Sequence, residues 1–231
     1  MIDRAQWGPE VKTLGEAGRE FAKRHSPWMI LGAIAALVVV RALLGPLDWR
    51  DAVAVAAMAV IYPFGEWAIH VYLLHAKPIT LRGRTFELPT TRDHRYHHRH
   101  PNNLFTLLLN AKELAELLLL AVPAVVVVGG LVVGLVAGGV PWGALVSGVI
   151  CGYVLVGVYE WTHYLIHTAY RPKSAAYRRI WRNHRLHHFK NEHYWHGITN
   201  TLADRVLGTD PDQRQVPRSK TARTLDPGRA G

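Results

Sequence analysis

The sequence contains one cysteine, Cys151, in 231 residues. A disulfide framework and a thiolate metal site are both excluded. Charge is missing over a long run: no Asp, Glu, Lys or Arg occurs in the 43 residues from Leu117 to Tyr159. One helix of that length would measure about 65 Å, roughly twice the hydrocarbon core of a bilayer. The run divides at Gly138-Gly139-Val140-Pro141, where glycines end one helix and proline opens the next. No signal peptide is visible, since the first 25 residues are polar and charged. No internal repeat is visible beyond a helix pair followed by a histidine cluster, which occurs twice.

What is present is apolar length. Hydrophobic residues make up 49% of the chain. The charge-free run reads as two helices, about 114–138 and 141–167, in a tight hairpin. Valine-rich helices that are apolar all round suit lipid better than the core of a soluble protein. An earlier pair covers about 28–47, with Arg41 near one end and able to snorkel, and about 52–76. The second of these is apolar at first, then carries Glu66, His70 and His75. Gly45-Pro46-Leu47-Asp48 supplies the turn between them.

The expected fold class is all-α: an integral membrane protein with four transmembrane helices and a cytosolic helical cap carrying histidine clusters. Residues 1–27 would be a cytosolic N-terminal segment and 28–210 the membrane domain. Residues 211–231, rich in Pro, Arg, Thr and Gly, would be a disordered tail. Orientation follows from Lys and Arg. With four spans, 25 of the 27 cationic side chains fall on one side, which is expected to be cytoplasmic, with both termini. The net charge of +10 is then a topology signal with attraction to anionic headgroups. The basic residues are scattered along a membrane protein, so nucleic acid is not an expected partner.

Fourteen histidines occur, and ten fall into four groups. His70 and His75 end the second span. His94, His97 and His98 form one H-x-x-H-H, and His184, His187 and His188 another. His163 and His167 end the fourth span. Residues four apart on a helix lie about 40° apart on one face, so two imidazoles at that spacing can serve one ion or two adjacent ones. In H-x-x-H-H the middle histidine is offset by about 100° from the last, fanning the rings around more than one ion. His70 and His75 are about 140° apart on a regular helix, so the helix is expected to unwind ahead of Lys77-Pro78. Even-numbered spans finish on the same side, so all ten rings can meet at one membrane-proximal site. Ten imidazoles exceed what one ion takes and argue for two. Neutral imidazole suits Zn, Cu, Fe and Ni alike. Glu66, Asp93, Glu160, Asn183 and Asp204 are candidates to orient histidine N–H groups. His25, His100, His193 and His196 lie outside the pattern, with His193 and His196 held as reserve ligands.

With these clusters in this order and frame, the sequence resembles the fatty acid hydroxylase and sterol desaturase superfamily of membrane enzymes. Gly197 to Thr209, GITNTLADRVLGT, also looks like the segment that follows the last histidine box there. The resemblance covers roughly residues 55–210. It implies a di-iron oxygenase, with zinc as a substitute metal, that uses O2 to hydroxylate an unactivated C–H bond of a lipid. The implied ligands are His70, His75, His94, His97, His98, His163, His167, His184, His187 and His188. Acyl desaturases usually lack a pair like His163 and His167, which favours hydroxylation over desaturation. Some members carry a fused haem domain. The 27 residues before the first span are too few for one, so a separate electron-transfer protein is the expected partner. Fatty acyl, sphingolipid, sterol and carotenoid substrates all remain open. A membrane metal transporter is the other class that such histidines could serve, although transporters usually place ligands near the bilayer midplane.

Overall fold

The computed structural model describes residues 7–137 and 141–225. The expected turn at Gly138–Val140 and the last six residues of the tail lie outside the described residues. The chain divides into two compact units, residues 1–20, 63–108 and 162–231 in one, and 21–62 and 109–161 in the other. Among the described residues, four helices are long and apolar enough to cross a membrane: His25–Leu43, Trp49–Leu74, Ala111–Leu131 and Trp142–Ile166.

The second unit holds most of this apolar length. Helix α1 (Leu14–Ala22) ends at its border, and α2 (His25–Leu43) and the first part of α3 (Trp49–Ala68) lie within it. Helix α5 (Ala111–Glu116) starts on a capping box between Asn110 and Glu113. It runs through a π-helical segment, Leu117–Ala121, into α6 (Val122–Ala137). Pro123 has no N–H to give the preceding turn, a local reason for the interrupted ladder. The Tyr153 hydroxyl of α7 (Trp142–Ile166) donates to the Leu118 carbonyl within that segment. Ile30, Leu114, Leu118, Val149, Tyr153 and Val156 form the core.

Arg41 does not snorkel to water. Its Nε and Nη2 each lie 2.7 Å from an oxygen of Asp51. Ser147 and the carbonyls of Gly45 and Pro46 accept its other bonds. The turn folds back over the guanidinium through Gly45, whose φ of 106° suits glycine.

The first unit carries the chemistry-bearing segments. Beyond Ala68, helix α3 continues as a π-helix over Ile69–Leu74. A hairpin of β1 (Ile79–Leu81) and β2 (Arg84–Phe86) follows, an addition to the all-α expectation. Arg82 and Gly83 both have positive φ, as a two-residue type I′ turn requires. Helix α4 (Pro89–Arg99) opens with proline at its first turn, after extended Leu88. Helix α8 (Ala175–Phe189) is capped by the Ser174 hydroxyl, which accepts from Tyr177 N. A short α9 (Leu202–Val206) lies beyond it.

Residues 8–11 and 217–225 pack within this unit. Ala169 N donates to the carbonyls of Gly8 and Val11, and Gly8 N to Asn102 O. A side chain at Gly8 would strike the His167 carbonyl, so only glycine fits. Residues 211–225, expected to be disordered, instead form a strap. Asn191 Nδ2 donates to Pro217 O, Ser219 N to Lys190 O, and Arg95 Nη1 to Leu225 O. Low hydrophobicity suggested disorder, but backbone carbonyls and small hydroxyls hold this segment.

Candidate metal centre

The four histidine clusters come together in the first unit as two groups of five. His70, His75, His94, His98 and His187 form one, and His97, His163, His167, His184 and His188 the other. Within each group the donor nitrogens lie within 4.8 Å of one another. Nine of the ten residues are buried, and His75 is half-buried.

Local helical geometry explains the sorting. His94 and His98, four apart on α4, share the first group, while His97 between them turns into the second. On α8 the assignment reverses: His184 and His188 join the second group and His187 the first. Each span pair serves one group only. The His70–His75 spacing of five is met by the π-helix, whose roughly 4.4 residues per turn bring such positions onto one face. His75 N donates to His70 O at 3.1 Å, the i→i+5 bond of that geometry. The helix therefore widens rather than unwinds.

The ring nitrogens converge as donors to a common centre. In the first group, Nε2–Nε2 separations are 3.1 Å for His75–His94 and 3.2 Å for both His94–His98 and His75–His187. In the second they are 3.0 Å for His167–His184 and His184–His188, and 3.1 Å for His97–His188. Ligands at about 2.1 Å subtending 90° lie about 3.0 Å apart, whereas a tetrahedral pair lies about 3.4 Å apart. These separations, three in each group, lie closer to the octahedral edge.

The tautomers fit a cation as well. His70, His98 and His187 each place Nδ1 beside a backbone carbonyl: His196 O at 2.6 Å, Ala222 O at 2.8 Å and Tyr194 O at 2.8 Å. A carbonyl only accepts, so Nδ1 carries the proton and Nε2 offers its lone pair. His70 Nε2 is buried with no hydrogen-bond partner. Burial, with neighbouring imidazoles, holds His94, His97, His184, His187 and His188 well below the usual histidine range, and burial brings His98 to about 4. Neutral, lone-pair-presenting imidazoles are what a transition metal requires.

The five polar candidates have other partners. Glu66 accepts from Ile198 N, Thr199 N and the Thr199 hydroxyl. Asp204 accepts from His196 N, Gly197 N and the Thr209 hydroxyl. Burial pushes the Asp204 carboxyl up, against those three bonds. The two carboxylates thus pin the His196–Thr199 turn, whose His196 carbonyl meets His70. They orient an imidazole through backbone, not directly. Gly197 is required there, since a Cβ would strike the Asn200 carbonyl. Asn183 donates to Asp210 Oδ1, which anchors the start of the strap. Glu160 takes the Ser26 hydroxyl and Leu109 N. Asp93 is a surface charge beside Arg92.

Of the reserves, His196 is buried, its ring centroid 5.1 Å from that of His187 and 5.3 Å from that of His70, whereas the His193 side chain is 72% exposed. His100 caps α4 with its ring near Tyr96, and His25 opens α2. Spacing offered no signal for the carbonyls of Tyr194, His196 and Ala222. Trp195, between the first two, takes a left-handed φ of 59°, the backbone strain found at functional turns.

The family model described as "Fatty acid hydroxylase" matches residues 55–209, more than half of the chain and all ten histidines. The chain belongs to the fatty acid hydroxylase family. Two dihydroceramide fatty acyl 2-hydroxylases of Arabidopsis thaliana are similar to this family member. FAH2 is 28% identical over 166 residues, 67% of this chain and 62% of that protein. FAH1 is 28% identical over 171 residues, 74% of this chain and 65% of that protein. The chain therefore spans just under two thirds of the length of these relatives. No solved structure matches.

Proposed function

We propose that this chain is an integral membrane lipid hydroxylase that holds two metal ions, iron in the working enzyme, one in each group of five histidines. Bound iron would supply the redox chemistry that lets O2 oxidise an unactivated C–H bond. The chain's own part is to hold ten neutral donors at fixed spacing, to set their tautomers with backbone carbonyls, and to keep water from the buried rings. Each group of five would hold one ion through its neutral ring nitrogens. The carrying observation is this pair of converging, buried, uncharged imidazole groups.

The substrate class is a fatty acyl chain, with a ceramide-type acyl amide the first to test, after the plant dihydroceramide hydroxylases that the chain is similar to. The histidine-bearing side faces the cytoplasm, following the distribution of Lys and Arg. Residues 28–210 form the catalytic membrane domain, and electrons come from a separate protein. The test is expression in cells, with lipid mass spectrometry under isotopically labelled O2 and metal analysis of the purified chain. One labelled oxygen atom gained by an acyl lipid, and two metal ions per chain, are expected. Metal-free protein from iron-replete cells, or an unchanged lipid profile, would overturn the reading. Loss of two hydrogens instead of oxygen gain would reassign it as a desaturase.

A further inference from the structure

The hairpin between the end of the second span and α4 has no role in the metal centre, and its surface does not suit water. In its register Ile79 pairs with Phe86, Thr80 with Thr85 and Leu81 with Arg84. Alternation along a strand puts Ile79, Leu81 and Phe86 on one face together with Arg84, the partner of Leu81, and the two threonines, 3.2 Å apart through their hydroxyls, on the other. The apolar face is bare: Ile79 is 70% exposed, Leu81 62% and Phe86 58%. Leu88, just beyond, is exposed too. An isolated two-stranded hairpin is marginal in water, and a contiguous apolar patch of this kind marks an interaction surface.

Three observations say what covers it. The hairpin begins five residues after Leu74, the last residue of a membrane-spanning helix, so the chain has little length in which to leave the bilayer surface. Lys77 and Arg82 flank this face, Arg84 stands on it opposite Leu81, and all three are exposed. Glu87, the one acidic residue between Lys77 and Thr90, is paired with Arg95 of α4 at 2.8 Å. We propose that Ile79–Phe86 is a membrane-docking hairpin: Ile79, Leu81 and Phe86 enter the acyl boundary of the same bilayer that the helices span, and Lys77, Arg82 and Arg84 bind anionic headgroups. Apolar side chains flanked by cations are the chemistry of an interfacial anchor. The Thr80 and Thr85 face then looks away from the lipid. The proposal rests on the spanning helices and is independent of the oxygenase reading.

The test uses the full chain in bilayers, with Cys151→Ser as background and one fluorophore attached at Leu81→Cys or Thr80→Cys. Both positions are exposed, so the label disturbs no core, and retained metal content and helicity check the fold. Quenching by shallow spin-labelled lipid at position 81, with position 80 open to a soluble quencher, is expected. Replacing Lys77, Arg82 and Arg84 by serine should lower the buried-to-exposed ratio in phosphatidylglycerol-containing bilayers by about fivefold per cation. The same change should have little effect in purely zwitterionic bilayers. Equal access of the soluble quencher to both positions would overturn the proposal. So would a label at 81 shielded from water but untouched by lipid quencher, which would assign the face to a protein or a second copy of this chain.

Discussion

Two regions of this protein bury polar side chains, and they do so in opposite ways. In the apolar unit, Arg41, Asp51 and Ser147 close on themselves: each guanidinium nitrogen has an acceptor and both Asp51 oxygens accept hydrogen bonds. In the histidine-bearing unit, eight of the ten imidazoles have a ring nitrogen 3.0–3.2 Å from that of a neighbour, and lone pairs such as His70 Nε2 find no donor. A closed cluster is a structural tie. An open one could hold a metal ion at its centre, and the depressed basicity of the rings keeps their lone pairs free of protons.

The largest break in that comparison comes from the open cluster itself. His187→Ala or His184→Ala removes one donor from one group. Each should lower the metal content from two ions toward one and cut activity by more than about 100-fold, since even outer partners of metal ligands are worth 10- to 100-fold. Elemental analysis and turnover check this. Normal metal content in both variants would remove the basis for ligation.

A smaller break is made at the strap. Ending the chain after Pro217 deletes the Ala222 carbonyl and leaves His98 without its acceptor. Release of metal to a chelator should become about 10- to 100-fold faster. A single fast phase of about half the metal would identify the first group as the one affected. Next in size is Glu66→Ala, which strips three hydrogen bonds from the Ile198–Thr199 turn and should cost about 1–3 kcal/mol in chemical denaturation.

The pH dependence sharpens the contrast further. His98 and His196 sit at about 4 in the folded protein, lowered by burial, against about 6.5 for a free side chain. The unfolded chain therefore binds more protons between these values. Metal-free protein should lose stability as pH falls from about 6.5 to about 4, by up to about 1.4 kcal/mol per pH unit for each such histidine. Bound metal should move this acid edge downward, and thermal melts with and without metal read both.

The smallest net effect belongs to the paired replacement in the closed cluster. Arg41→Met alone strands Asp51 and should lower the melting temperature. Arg41→Met with Asp51→Leu should restore it to near the starting value, with metal content unchanged throughout. A loss of metal in either variant would show that the two clusters are coupled.

Much of the protein was legible from residue order alone. A charge-free run has one good solvent, so the presence of apolar spans followed from it. The i, i+4 spacing in α4 and α8 placed outer histidines on one face and the middle one on another. The sequence could not show that His70 and His75 share a face, because that depends on a π-helical ladder that no spacing rule for regular helices contains. Nor could it show where Glu66 and Asp204 would go. Which backbone groups a buried carboxylate meets depends on residues some 130 positions away for Glu66, and on a turn for Asp204.

Sequence by itself determined the apolar spans, the supply of ten imidazoles and their local sorting, because each depends on short-range periodicity and transfer energetics. Tertiary structure alone decided the two groups of five, the carbonyls that set the tautomers, and the ordering of residues 211–225. Those depend on which distant backbone groups arrive beside a buried ring, and a carbonyl is the same in every residue.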